Sequence, residues 1–148
     1  MSLKIRNAKP GDEVYIVELI KELSETIGEA SGISVEFAKN SLSFPCFQIL
    51  VAEEHGRVVG LISYSVKPSL YHGANSCIIE DLVVKQQARG RGVGSALIRE
   101  ALIRIQKLGC AEVSVSTMPD NEKAIRFYRA CGFTDEALFL EKHFFKSK

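Results

Sequence analysis

Val83-Val84-Lys85-Gln86-Gln87-Ala88-Arg89-Gly90-Arg91-Gly92-Val93-Gly94-Ser95-Ala96-Leu97-Ile98 is the stretch on which the fold turns. An apolar strand ends in a basic, glycine-rich turn, and the turn opens directly into a helix. Gly90, Gly92 and Gly94 permit positive φ and remove Cβ atoms that would hold a ligand off the backbone. A helix that starts there offers free N–H groups and the positive end of its dipole. The pattern predicts a phosphate cradle.

Three familiar owners of such a cradle fail on spacing. A dinucleotide site needs G-x-G-x-x-G after the first strand of a βαβ unit. Counted from Gly90 the third glycine position is Ser95, and counted from Gly92 it is Leu97. The turn also lies mid-chain, with no second mononucleotide-binding half after it. A P-loop ends in G-K-[ST], and no lysine follows the last glycine here. A kinase glycine loop is a hairpin, whereas this turn joins a strand to a helix. A structural glycine loop without a ligand is the remaining bland reading.

Two neighbouring features argue against that reading. Arg89 and Arg91 interleave with the glycines. About 30 residues downstream, beyond a helix and a strand, comes Asn121-x-x-Ala124-x-x-Phe127-Tyr128-x-x-Cys131-Gly132-Phe133. With both segments in view the chain resembles the GNAT acetyltransferase superfamily. Arg89-x-x-Gly92-x-Gly94 matches that family's pyrophosphate pattern [RQ]-x-x-G-x-[GA], and the Asn121–Tyr128 segment with Gly132-Phe133 is similar to its second motif. Cys131 stands where the family more often has an aliphatic residue. The short Ile79-Glu80-Asp81-Leu82 run is similar to the polyamine-type branch.

The resemblance implies acetyl-CoA as acyl donor and an amine as acceptor. Backbone groups of Arg89, Gly90, Arg91, Gly92, Val93, Gly94 and Ser95 are expected to hold the pyrophosphate. Those of Leu82, Val83 and Val84 would pair with the pantetheine arm as with an added strand, one of them polarising the thioester carbonyl. Asn121 suits both a helix cap and a cofactor contact. The acceptor amine has a pKa near ~10 and must lose a proton before it attacks. Glu80 is the candidate base, directly or through water, with Asp81 second. Alternation along a strand predicts that these two acids point to opposite faces unless a bulge intervenes. Tyr128 is the expected acid toward the departing thiolate, and Phe127 beside it reads as core. A covalent route through Cys131 has no histidine nearby in sequence to activate the thiol. A non-catalytic acyl-CoA-binding domain is the rival of another class, disfavoured by the presence of both Tyr128 and Glu80. The sequence does not size the acyl pocket.

The rest of the chain fills in around this centre. Leu3–Asn7 alternates as a strand. Asp12 reads as the N-cap of a helix on which Ile16, Ile20, Leu23 and Ile27 recur at helical spacing, ended by Gly28. Its Glu18, Glu22, Glu25 and Glu29 read as a solvated face, with a cation-facing role for Glu25 and Glu29 as the competing reading. Ser34 caps a short helix to about Leu42. Phe47–Glu53 and Arg57–Val66 form a hairpin about His55-Gly56, and Gly60 marks a bulge or a close backbone neighbour. Lys67–Asn75 reads as a loop and Ser76–Val84 as a strand. A helix runs from the glycine turn to Leu108, with Gly109 as its C′ residue. Glu112–Thr117 is a strand, a helix follows to about Ala130, and Phe133 onward is a last strand, most apolar over Leu138–Phe145.

The expected architecture is therefore one α/β (α+β) domain over residues 1–148. By resemblance it has a mixed, mostly antiparallel sheet with helices on both faces, splayed between the Glu80–Val84 and Glu112–Thr117 strands. Of its 148 residues 46% are hydrophobic and 25% charged, as in ordinary globular domains. The net charge of +1 and the lack of a Lys/Arg run argue against a nucleic-acid partner. No apolar run approaches the ~20 residues of a membrane span. Cys46, Cys77, Cys110 and Cys131 lack metal-site spacing with His55, His72 and His143, so reduced thiols in a cytoplasmic protein are expected. An amine acceptor is the expected partner. The resemblance, with the apolar C-terminal segment, also allows a homodimer.

Overall fold

The computed structural model describes residues 2–145. Five strands form one sheet in chain order: β1 (Leu3–Asn7), β2 (Phe47–Glu54), β3 (Arg57–Ser69), β4 (Ala74–Val84) and β5 (Cys110–Val115). The first four pair antiparallel, and β4 pairs with β5 in parallel. Four helices accompany them: α1 (Glu13–Thr26), α2 (Val35–Ser41), α3 (Val93–Lys107) and α4 (Glu122–Ala130). The mixed, mostly antiparallel sheet expected from the sequence is the one observed.

Alternation along the strands gives the sheet two apolar faces. On one, Ile49, Val51, Leu61 and Val83 meet Ile16, Val17 and Leu19 of α1 and Ala38 of α2. On the other, Leu50, Ile62, Tyr64 and Ile79 meet Leu97, Ile98, Ala101 and Ile105 of α3, and α4 adds Phe127 and Tyr128 at the margin. Each large side chain fully buried here contributes roughly 1.5–3 kcal/mol. His55 (φ 54°) and Gly56 (φ 74°) both take the left-handed region, which makes the β2–β3 connection a two-residue hairpin turn.

Gly60 has both of the features foreseen for it. The β2–β3 register shifts beside it, between Ala52 and Glu53. A Cβ on Gly60 would lie 3.1 Å from the Val83 carbonyl oxygen, 3.2 Å from Leu97 Cδ1 and 3.3 Å from Val93 Cγ1. The bare glycine lets the first turns of α3 settle onto the centre of the sheet.

Several boundaries differ from expectation. The Lys67–Asn75 loop is mostly ladder: Lys67 pairs with Ser76 and Ser69 with Ala74, leaving a short turn through Gly73. Pro68 is tolerated because β3 outruns β2, whose last partner is Ser65, and so has a free edge there. β5 begins at Cys110 and ends at Val115, two residues earlier at each end than predicted, because its pairing with β4 stops at Ile79–Val115. Asp12 precedes α1 but its carboxylate does not cap it. The oxygens instead accept from Arg6 Nη1 and Nη2 at 2.8 and 3.1 Å and from the Lys9 N–H at 2.9 Å. No strand forms over residues 133–145, although Leu138 is 84% and Phe144 89% exposed. A strand needs a partner, and this segment has none among the described residues. Residues 146–148 lie outside them. No helix among the described residues is long and apolar enough to cross a membrane.

Candidate active site

The glycine turn is built as a cradle. After a 3₁₀ turn at Gln86–Ala88, Gly90 (φ 78°) and Gly92 (φ 83°) both adopt the left-handed region, and Gly92 is the residue from which α3 starts. A Cβ on either would meet nothing within 4 Å, so glycine is needed there for its φ. The first α3 donor to find a helical acceptor is Ala96, whose N–H donates to the Gly92 carbonyl at 3.0 Å. The Val93, Gly94 and Ser95 N–H groups have no acceptor among the described residues. No side chain among the described residues caps this end. Gly94 is the meeting point of three elements: its missing Cβ would lie 3.7 Å from Val84 Cγ2 on β4 and 3.9 Å from Phe127 Cζ on α4. The two sequence motifs thus come together in space.

Carboxylates hold the cationic side chains of the turn. Arg89 Nε donates to the Val84 carbonyl at 2.9 Å, and its Nη2 lies 3.7 Å from Glu22 of α1. Glu22 also accepts the Gln86 N–H at 2.8 Å, and Glu18 pairs with Lys85 at 2.5 Å. Arg91 makes a two-point contact with Glu54 at 2.9 and 3.3 Å. The acidic face of α1, expected to be solvated, is therefore partly spent on fastening α1 to the turn. Glu18, Lys21, Glu22, Glu25, Lys85, Gln86 and Gln87 border an open cleft of 390 Å³. Sequence spacing carried no sign of Glu18, Glu22 or Glu54, because their partners lie on distant elements.

β4 supplies an open edge. Pairing with β5 ends at Ile79, so Glu80–Val84 face a gap on that side. The Lys85 N–H donates to the Val59 carbonyl at 2.8 Å. Alternation in an antiparallel ladder then commits the Val83 backbone groups to β3 and turns those of Leu82 and Val84 toward the gap. Of the three strand positions expected to face a ligand, Val83 is the one that pairs inward. Its side chain lies in the α1-side core.

Glu80 is the extra residue of a β-bulge: Ile79 pairs with Tyr64 and Asp81 with Ser63, with Glu80 unmatched. A bulge turns two consecutive side chains to one face. Accordingly Ser63 donates to Asp81 Oδ2 at 2.6 Å and Ser65 donates to Glu80 Oε2 at 2.9 Å, from hydroxyls on the same face of β3. Simple alternation, which put the acids on opposite faces, is corrected by this bulge. Both lie on the α1 side of the sheet, Glu80 exposed and Asp81 half-buried.

Tyr128 approaches from the other face. Its ring stands edge-on to Phe127 (5.3 Å) and Phe133 (5.7 Å), and its hydroxyl has no hydrogen-bond partner among the described residues. Burial, with a minor contribution from Cys131, pushes its pKa up to about 12. The phenol therefore stays protonated at neutral pH and is a donor. Asn121 Oδ1 accepts the Ala124 N–H at 3.1 Å and caps α4, which leaves its amide NH₂ for other contacts. Burial raises the Cys131 thiol above its ordinary range, which disfavours a thiolate nucleophile. The described residues contain no cluster of three or more metal-binding side chains.

Comparison with known proteins agrees with this geometry. The model of the acetyltransferase (GNAT) family matches residues 16–133. Thialysine N-epsilon-acetyltransferase of Bos taurus is 31% identical, over 88% of this chain and 84% of its own. Aminoalkylphosphonate N-acetyltransferase of Salmonella typhimurium is 30% identical, again over 88% and 84%. A transcriptional regulator from Bacillus halodurans superposes with a TM-score of 0.85 at 27% identity, covering 97% of this chain and 100% of that one. A cradle of unpaired helix-start amides, an open strand edge beside it and a protonated tyrosine from the second motif converge with these likenesses, and the chain belongs to the GNAT family of acetyltransferases.

Proposed function

We propose that this enzyme moves the acetyl group of acetyl-CoA to a primary amine by direct attack within a ternary complex. The observation that carries the reading is the run of unpaired N–H groups from Val93 to Ser95 at the open end of β4. They suit a pyrophosphate. The backbone groups of Leu82 and the N–H of Val84, whose carbonyl already accepts from Arg89 Nε, suit the amides of an extended pantetheine arm. Asn121 is a further contact through its amide.

In this reading the acceptor arrives from the α1 face as an ammonium ion. Glu80, or a water that it holds, takes one proton. The amine nitrogen attacks the thioester carbonyl carbon, a C–N bond forms and the C–S bond breaks. Tyr128, on the opposite face, donates a hydrogen bond to the sulfur as negative charge develops there. The nitrogen releases its second proton as the amide forms, the thiolate takes it, and the products are an amide and free coenzyme A. Glu80 and Asp81, together on the α1 face, support a cationic or peptidic amine. The relatives' acceptors support the amine class: thialysine in one, an aminoalkylphosphonate in another.

The test has two stages. Acetyl-CoA at saturating concentration is expected to raise the melting temperature, with NAD and ATP giving no comparable shift. Thiol release is then followed across polyamines, amino sugars, amino acids and peptide N-termini. Turnover with one of these classes supports the reading. Stabilisation by NAD or ATP but not by acetyl-CoA contradicts it.

Two further assignments belong to the same proposal. The unpaired cysteines support a reducing, cytoplasmic location. Leu138, Leu140, Phe144 and Phe145 stand exposed, while the outer edge of β5 lies beside a groove bordered by Leu102, Ile105, Gln106, Cys110, Ala111, Glu112 and Val113. An unpaired apolar segment and an unpaired strand edge on one chain are complementary, and we assign a second copy of this chain as their partner.

A further inference from the structure

Glu54 is the last residue of β2 and only 7% exposed, yet it carries a carboxylate. A buried carboxylate is costly unless a cation with good geometry faces it. That cation is Arg91, which meets both oxygens, at 2.9 and 3.3 Å. Arg91 sits between Gly90 and Gly92, both in the left-handed region. In that tripeptide it is the sole side chain, hence the side-chain hold on a backbone that glycine otherwise leaves permissive. The unpaired amides of Val93, Gly94 and Ser95 begin two residues later. Arg89 is turned the other way, toward Val84 and Glu22.

We propose that Glu54 is a positioning residue for the donor site: through Arg91 it anchors the glycine turn to the sheet. Arg91 serves the site by cancelling the Glu54 charge and fixing the turn. The pyrophosphate is met by the helix-start N–H groups. This assignment rests on the acetyl-CoA reading above. It departs from the simpler view that an arginine in a phosphate loop contacts phosphate. That view leaves unexplained why a buried acid lies beneath the loop, where unpaired it would repel an anionic ligand.

The two views predict opposite effects of a second substitution. Acetyl-CoA is titrated calorimetrically, at one ionic strength and well below each protein's melting temperature, into wild type, Arg91→Gln, Arg91→Lys and the double variant Glu54→Gln/Arg91→Gln. Arg91→Gln alone leaves Glu54 charged and uncompensated beside the site, and affinity is expected to fall about tenfold. In the double variant two uncharged side chains replace the ion pair, no charge is left beside the site, and affinity is expected to return to within about threefold of wild type. Arg91→Lys keeps the charge and is expected to lie between these values. The loss should appear in the KM for acetyl-CoA, with kcat at saturating donor within about twofold, a split that a merely structural ion pair would not produce.

A double variant as weak as Arg91→Gln would overturn the proposal and assign Arg91 to the phosphate directly. Should Arg91→Gln fail to fold, the double variant and Arg91→Lys carry the comparison by themselves: near-wild-type affinity in the double variant supports the anchor, and weak binding overturns it. Absence of binding to folded wild type would instead remove the acetyl-CoA reading on which the role depends.

Discussion

Tyr128 holds its proton further up the pH scale than a free tyrosine, and this decides how it can act. With its pKa at about 12 and a thiol near ~8.5, full proton transfer to a departing thiolate is uphill by about 5 kcal/mol. A hydrogen bond that strengthens as the sulfur gains charge is the role left open. Tyr128→Phe is expected to lower kcat about 100-fold with little change in the KM for acetyl-CoA, measured as thiol release under saturating amine. The sign of the pH effect follows from the upward shift. The neutral phenol is the form favoured by folding. Its contribution to stability is complete below the unfolded value near ~10 and is lost only as pH rises through about 12. The wild-type rate should therefore show no alkaline decline from Tyr128 below about pH 11. Little of this could be read from the sequence. The second motif marked Tyr128, but its shift comes from contacts with Phe127, Phe133 and the α3-side core. Glu80 and Asp81 were visible as acids in an apolar strand. That they share a face was not, because one extra residue in a β-ladder leaves no trace in the pattern of side chains.

Among the elements, β4 and α3 form the frame of the site, and Gly60 sets the distance between them. Gly60→Ala brings a Cβ to 3.1 Å from the Val83 carbonyl oxygen, a backbone atom that cannot step aside cheaply. It is expected to cost about 1–3 kcal/mol of stability in urea unfolding and to weaken donor binding by displacing the α3 N-terminus. Gly60 has no positive φ, so the cost is one of space and would not appear as backbone strain. Helices were the more legible elements, because amphipathic spacing and caps lie within one segment: Ser34 caps α2 and Asn121 caps α4 as predicted. Asp12 misled because Arg6, six residues earlier at the end of β1, is a stronger partner than the start of α1. Burial alone would raise the Asp12 pKa, but hydrogen bonds from Arg6 and Lys9 outweigh it and hold the carboxylate below its usual range. The ends of strands were less legible than their centres. β5 stops where the sheet splays, and the last predicted strand lacks a partner among the described residues.

Taken whole, the molecule divides its sheet between an α1–α2 face that carries the acids and an α3–α4 face that carries Tyr128. The gap beyond Ile79 and Val115 joins the two. At the same scale lies the apolar segment from Leu138 to Phe145. Light scattering coupled to size exclusion is expected to give twice the monomer mass for wild type and the monomer mass for Leu138→Asp/Leu140→Asp. A monomeric wild type would remove the proposed self-association while leaving the site untouched. Acetyl-CoA is expected to bind at the helix-start amides and the open β4 edge. This placement is tested most directly by assigned amide NMR during titration with acetyl-CoA. The largest shifts should fall on Leu82, Val84 and Gly92 through Ser95, with Val83 and the β1–β2 ladder little changed. Shifts concentrated elsewhere, or none at concentrations that saturate thermal stabilisation, would contradict the account.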